Sequence, residues 1–295
     1  MPADRPLLGA IEAGGTKFVL GVGHGPDAII EQTQIATRDP AATLAETHAF
    51  FAQHPGMAAI GIGSFGPLER DTNAPDWGHI LATPKPGWSG CDIAGSVARA
   101  SGARVAFDTD VNAAALAEAR LGAAREARVS VYVTIGTGIG GGVIADGRIV
   151  GGIGHPELGH MRPRRAADDR DFEGICPFHG DCLEGLASGP AIKARWGQSL
   201  SHLPAERPAH ALIAGYLAEM CNTLRAALAP DAITLGGGVM DTPGLFERIV
   251  EAAAASDGGY FASAAAQVIR RPALAPVSGL AGAFLLAADM LQADG

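Results

Sequence analysis

Four short stretches of this chain carry residue types suited to chemistry. In Glu12-Ala13-Gly14-Gly15-Thr16-Lys17, paired glycines separate two apolar runs. Such a turn can present backbone N–H groups to an oxyanion, with a hydroxyl from Thr16. Glu12, at the end of the first run, can hold Mg2+ through water. The G-x-x-x-x-G-K-[ST] spacing of a P-loop is absent, and the plain alternative is an ordinary tight hairpin. Gly136-Thr137-Gly138-Ile139-Gly140-Gly141-Gly142 follows another apolar run. It holds a G-x-G-x-x-G-like string, yet Val143 to Arg148 read as strand and turn where a dinucleotide fold needs a helix. Two phosphate-type turns together are a stronger signal than either alone.

The third stretch is Asp108-Thr109-Asp110-Val111-Asn112, at the junction of a strand with a helix. A carboxylate there either caps the helix or does catalysis, and Asp108 or Asp110 can fill the capping role. The fourth is Cys176-Pro177-Phe178-His179-Gly180-Asp181-Cys182, a C-x2-H-x2-C string with HPELGH (His155 to His160) upstream. Cys176, His179 and Cys182 plus one distant His complete a tetrahedral zinc site. His160 and His155 are rivals for the fourth position. Four protein ligands close the coordination sphere, so such a zinc shapes a loop and does no chemistry itself. The other cysteines, Cys91 and Cys221, stand alone, which argues against a disulfide framework.

The elements that must position these groups follow from the apolar pattern. Leu7 to Ala13, Thr16 to Gly23 and Ala28 to Thr37 read as strands, Ala41 to Gln53 as a helix and Met57 to Phe65 as a buried strand. Gly66 to Ser89 is a Pro- and Trp-bearing loop, too long for an inert connection, that is functional or holds a short hairpin. A helix from Asp92 to Ala100, a strand from Arg104 to Asp108 and a helix from Asn112 to Leu121 follow. The second half reads as strand Val129 to Gly136, strand Gly142 to Ala145, a helix over Leu183 to Trp196, another over Ala209 to Leu228, strand Ala232 to Leu235 and a buried helix Gly279 to Leu291. In the longest helix Leu212, Tyr216, Met220, Leu224 and Leu228 form a core stripe. GAIEAGGTKFVLGVG from Gly9 and VTIGTGIGGGVIADG from Val133 share the order strand, glycine turn, strand, a weak repeat that predicts two similar α/β domains.

The bulk numbers agree with an α/β enzyme. A length of 295 residues favours two domains, and 47% hydrophobic residues exclude large-scale disorder. The 41 glycines are about twice the usual share of ~7%. They fall between strand-like runs, where backbone must approach a ligand closely. A net charge of −9 argues against nucleic acid or an anionic membrane as partner, while leaving phosphate ligands open to backbone N–H groups. The N-terminal residues lack a signal-peptide pattern and no run of about 20 apolar residues occurs, so a soluble, cytoplasmic protein is expected.

In their order, EAGGTK, TDVNAAALAE, TIGTGIGGGV, HPELGH, CPFHGDCLEG and ITLGGGV resemble the ROK family of sugar kinases and repressors, from Leu8 to Leu291. TPKPGW (Thr83 to Trp88) and the C-x2-H-x2-C form of the metal loop resemble its bacterial fructokinase branch. The resemblance implies an actin-like ATPase (ribonuclease H-like) fold, with ATP and Mg2+ in a cleft between two domains. It implies Asp110 as catalytic base, Glu157, His160 and Glu184 as sugar-binding residues, and His160 as the fourth ligand of a structural Zn2+. ATP contacts are expected from Gly14, Gly15, Thr16 and Lys17, from Gly136, Thr137, Gly138 and Pro190, and from Gly236, Gly237, Gly238, Val239 and Met240. The expected division is residues 1–112 plus 278–295 against a larger 113–277 domain carrying the metal loop, and a homodimer is implied. Two positions depart from the family pattern: Glu12 replaces a common Asp, and Thr109 replaces a common Asn, so that sugar contact is not carried over. The expected reaction is phosphorylation of D-fructose, with mannose, glucose or an N-acylmannosamine as alternatives. A sugar-sensing repressor is the rival class; the few residues before Leu7 and the negative charge count against a DNA-binding segment.

Overall fold

The computed structural model of this chain describes residues 5–152 and 154–292. In chain order the elements are β1 (Leu8–Ala13), β2 (Lys17–Gly23), β3 (Ile29–Ala36), α1 (Pro40–Ala52), β4 (Ala59–Ser64), α2 (Ile93–Ser101), β5 (Arg104–Thr109) and α3 (Asp110–Arg120). Then come β6 (Val129–Ile135), β7 (Ile139–Ala145), β8 (Arg148–Ile149), α4 (Leu183–Ala187), α5 (Gly189–Trp196) and α6 (Pro208–Leu228). The last are β9 (Ala232–Gly236), α7 (Leu245–Ser256), α8 (Ala265–Val268), β10 (Ile269–Arg270) and α9 (Ser278–Gln292). The chain forms two compact units. The first holds the described residues up to Ala117, with 151–155 and those from Pro276 onward; the second holds 118–150 and 156–275.

Each unit is built on a five-stranded sheet of the same plan. In the first the order is β3-β2-β1-β4-β5, with β1–β2 antiparallel and β1–β4 parallel. In the second it is β8-β7-β6-β9-β10, with β6–β7 antiparallel and β6–β9 parallel. The weak repeat in the sequence is thus a repeat of topology. Each copy starts with a hairpin whose turn is one of the glycine motifs.

Strand periodicity explains the layers of the first unit. On one face of its sheet Ile11, Leu20, Ile60 and Ile62 meet Phe50 and Phe51 of α1 and Ile93 and Val97 of α2. On the other, Leu8, Ala10, Val19 and Ala59 meet Leu280, Ala283, Phe284 and Ala287 of α9. In the second unit Val131, Val133, Ile233 and Leu235 share a core with α6 and α7. Tyr216, Met220 and Leu224 of the predicted stripe are buried there, flanked by partly buried Leu212 and Leu228. Among the described residues, no helix is long and apolar enough to cross a membrane.

One local expectation changes, and the long loop gains detail. The single helix over Leu183 to Trp196 is two, α4 and α5, divided at Ser188: its extended backbone (φ −67°, ψ 162°) lets its side chain cap α5, and Pro190 occupies the first turn. The loop after Gly66 holds only isolated bridges, Leu68 with Ile80 and His79 with Asp92. Its tryptophans are packing anchors. Trp88 is fully buried on Phe18 and Phe65 with its Nε1 donating to the Arg38 carbonyl at 2.9 Å, and Trp77 packs edge-on against Phe107.

The sheet of the first unit approaches α9 through glycine. A Cβ at Gly61 of β4 would overlap the carbonyl oxygen of Ala283. Overpacking of this kind costs about 1–3 kcal/mol. Gly61→Ala should lower the stability of the chain by that amount in chemical denaturation. Gly215→Ala, on an open face of α6, should instead stabilise by up to about 1 kcal/mol, because alanine is the better helix former.

Candidate active site and metal centre

Three consecutive residues divide the work at the start of α3. Asp108 is buried; its Oδ2 receives Arg70 Nη2 at 2.6 Å and its Oδ1 receives Asn112 Nδ2 at 2.7 Å. Thr109 Oγ1 accepts the N–H of Asn112 at 3.1 Å, the bond expected of a helix cap. The expectation that Asp108 or Asp110 caps α3 is therefore corrected: the cap is Thr109, because Asp108 is committed to Arg70 and Asn112. The Asp110 carboxylate accepts the N–H of Val111 at 2.9 Å. Surrounding protein strips water from its carboxyl and raises it to about 6, against lowering by the Val111 N–H, its own N–H and the charge of His155.

The first glycine turn joins β1 to β2. Gly14 N–H donates to the Lys17 carbonyl at 2.9 Å, Thr37 Oγ1 donates to the Gly14 carbonyl at 2.7 Å, and the Lys85 ammonium donates to the Gly15 carbonyl. Gly15, Thr16 and Lys17 form an exposed tip, and Lys17 Nζ donates to Gln34 on β3 at 3.2 Å. Behind the tip the Glu12 carboxylate lies against Gly279, where any Cβ would meet it, and accepts the N–H of Leu280. Burial first, then the charge of Asp110, push Glu12 up to about 7; Lys17 and the Leu280 N–H act the other way. A buried carboxylate raised further by the charge of a neighbouring one suits a divalent cation, which relieves the repulsion.

In the second unit the turn Gly136–Gly138 joins β6 to β7. Gly136 N–H donates to the Gly138 carbonyl at 2.9 Å, and the Gly136 carbonyl accepts the N–H of Gly189 at 2.8 Å. β9 ends in Gly236 and Gly237. Gly237 has φ +92° and lies against the Ile135 backbone, where only glycine fits. Gly136, Thr137, Pro190, Gly238 and Val239 line one cavity of about 350 Å³. The Met240 side chain instead packs into the core. Sequence reasoning missed Ser199, Leu200, Ser201 and Thr242, which line the same cavity. Hydroxyl and aliphatic residues in connecting segments carry no spacing signal that could have found them.

Glu184, on α4, has one oxygen already engaged. Its Oε2 accepts the N–H of Ile139 at 2.9 Å and lies beside Gly138, so it fixes the glycine turn. Glu157 precedes the short 3-10 turn Leu158–His160, and its Oε2 is 3.9 Å from His160 Nε2.

The opposite nitrogen of His160 faces the metal loop. Cys176 Sγ lies 3.8 Å from His160 Nδ1 and 3.7 Å from His179 Nδ1, and Cys182 Sγ lies 3.5 Å from His160 Nδ1. All four donor atoms fall within 4.8 Å of one another. A tetrahedral zinc with ordinary Zn–S and Zn–N bonds sets its sulfur–nitrogen edges at about 3.6 Å, so the four side chains fit one. The loop is held by paired backbone bonds between Cys176 and Gly180 at 3.2 and 2.9 Å, and a Cβ at Gly185 of α4 would overlap the Gly180 carbonyl. Burial pushes the Cys182 thiol up to about 11; a bound cation would supply the charge that holds the thiolate. His155, the rival ligand, belongs to the first unit, near Gly66 and Asp110.

A fold of two such sheets, with glycine turns and a desolvated aspartate, is that of a sugar kinase class of the actin-like ATPases. Residues 8–290 match the ROK family, and the chain belongs to it. It is 44% identical to a fructokinase of Zymomonas mobilis subsp. mobilis over 97% of this chain and 98% of that one. It is 43% identical to a fructokinase of Pediococcus pentosaceus, over 97% and 99%. Among solved structures, the ROK hexokinase of Thermus thermophilus superposes with a TM-score of 0.80 at 28% identity, covering 98% of this chain and 100% of that one.

The metal cluster yields a direct measurement. Metal analysis of the purified protein should find one zinc per chain, and X-ray absorption should give about 2.3 Å to sulfur and about 2.0–2.1 Å to nitrogen. Cys176→Ser should lose the metal. Retention of a full equivalent by that variant would remove Cys176 from the ligand set.

Proposed function

We propose that this chain is an ATP-dependent fructokinase that forms fructose 6-phosphate and ADP. The observation that carries the chemical part is Asp110: a carboxylate left out of the helix cap, raised to about 6, at the end of a strand. Phosphoryl transfer asks a protein for positioning, charge stabilisation and a proton acceptor. The fructose 6-hydroxyl oxygen forms the new bond to the γ-phosphorus as the bond from that phosphorus to the β-phosphate oxygen breaks. Asp110 takes the hydroxyl proton. The turns at Gly14–Lys17 and Gly136–Gly138 offer N–H groups to phosphate oxygens. Mg2+ would neutralise charge on the phosphates, with Glu12 the carboxylate placed to hold it through water.

Sugar recognition is assigned to Glu157, His160 and Glu184. A carboxylate accepts hydrogen bonds from adjacent hydroxyls, and Glu184 retains one oxygen beyond its bond to Ile139. Because His160 also belongs to the His/Cys cluster, a bound ion would have a structural part, holding the histidine ring in place. Support for fructose comes from the two fructokinases that match this chain over nearly all their length.

The base assignment predicts a pH profile. A carboxyl near 6 is the competent base only when ionised, so kcat/KM should fall about tenfold per pH unit below 6 and level off above it. Asp110→Asn should lose that limb and about 10²-fold or more in turnover, with nucleotide and sugar still bound in calorimetry. Near-wild-type turnover in the folded variant would return Asp110 to a structural role.

The substrate is decided by kcat/KM for fructose, mannose, glucose and N-acetylmannosamine in a coupled ADP-release assay. Fructose should lead. A lead for any of the others would replace the substrate and keep the kinase. No ADP with any of them would point to a sugar sensor.

A further inference from the structure

The cavity of about 350 Å³ in the second unit has a part that the glycine motifs do not account for. Gly136, Thr137 and Gly238 offer backbone at one side. Elsewhere its lining is Ile192, Leu200 and Val239, all buried, with Ser199, Ser201 and Thr242. Aliphatic walls suit the faces of a flat aromatic ring, and the hydroxyls are the side-chain groups left to read its edge. Among the described residues lining this cavity there is no acid, base or amide side chain.

Resting on the ATP-donor reading above, we propose that this part of the cavity takes the purine of the phosphoryl donor without distinguishing adenine from guanine, so that GTP serves as donor alongside ATP. The two bases differ in polarity at the same place. Adenine carries an amino donor where guanine carries a carbonyl acceptor, and the adjacent ring nitrogen is an acceptor in adenine and an N–H donor in guanine. Telling them apart takes a group of fixed polarity. A serine hydroxyl has none, since it rotates and can donate or accept.

The serines here are arranged to switch. Ser199 Oγ and Ser201 Oγ are 3.0 Å apart, and either can be the donor. Reversing the shared hydrogen exchanges which of them turns a lone pair outward. Ser199 stands at the cap position of the turn Leu200–His202, yet its side chain makes no capping bond there. Two nearby fixed acceptors that could select the amino group of adenine each already accept one bond. The Ser199 carbonyl accepts the N–H of His202, and the Leu200 carbonyl accepts the N–H of Leu203, both at 3.1 Å.

Calorimetry with the non-hydrolysable analogues AMPPNP and GMPPNP, in Mg2+ and without sugar, tests this apart from turnover. The two dissociation constants should agree within about tenfold, and kcat/KM for ATP and GTP should follow. A site of fixed polarity would separate the bases by roughly a hundredfold or more; a preference of that size for the adenine analogue overturns the inference and leaves the ATP reading intact. Failure of both analogues to bind overturns both. Ser199→Ala and Ser201→Ala should weaken the two analogues by a similar factor. No change for either analogue in either variant would place the base elsewhere and overturn the assignment of these serines.

Discussion

The structure depends on backbone meeting backbone with no side chain between. Gly61 of β4 lies against the Ala283 carbonyl of α9, and Gly282 of α9 lies against the Ala113 carbonyl of α3. Gly63, two residues along β4, has the Ala113 methyl 2.8 Å from where its own Cβ would be, and the Asp110 Cα 3.4 Å away. The first turn of α3, and with it Asp110, is therefore seated directly on a strand. The second unit repeats the device: Gly237 rests on Ile135 of β6 and Gly185 rests on the metal loop. Part of the high glycine content is this; other glycines serve turns with positive φ. The close contact lets helices and turns reach the sheet closely enough for polar side chains at their ends to be stripped of water.

At the end of β5, three adjacent residues separate tasks that one acidic residue would confuse. Asp108 binds Arg70, which comes from the long loop after Gly66, and so ties that loop to the strand. Thr109 satisfies the helix N–H. Asp110 then carries neither duty. In the second unit the division is less strict, because Glu184 spends one oxygen on the glycine turn and His160 spends one nitrogen on the metal cluster.

Much of this was legible in the sequence where a pattern has a period. The two hairpins announce themselves because apolar runs stop at paired or tripled glycines, and the C-x2-H-x2-C string marks three side chains that the fold gathers with His160. The resemblance of the ordered motifs to one family supplied the roles. What stayed hidden depends on which neighbour wins a hydrogen bond. Asp108 and Asp110 are equivalent caps on paper, and only the arrival of Arg70, 38 residues away, removes one of them and leaves the cap to Thr109. Helix α7 went unread although Leu245, Ile249 and Ala253 recur there at four-residue spacing and face the core. The packing of the tryptophans in the long loop was also hidden, since burial of an indole follows from the fold around it.

Glu12 and Asp110 set the chain's readiness for its reaction against its resistance to unfolding. Their ordinary values are 4.5 and 3.8, and the folded values are about 7 and about 6. Between those limits the folded chain holds more protons than the unfolded one, so stability contributed by these groups is fully present below the ordinary values of 3.8 and 4.5 and is lost progressively until the pH has risen through about 6 and about 7. Above about 6, Asp110 is ionised against the preference of its surroundings, and Glu12 follows above about 7. Selection for heat tolerance alone would therefore favour neutral residues at these two positions. Both residues border glycines with little room for a side chain, Glu12 at Gly279 and Asp110 at Gly63, so relief of their strain by repacking is closed off as well.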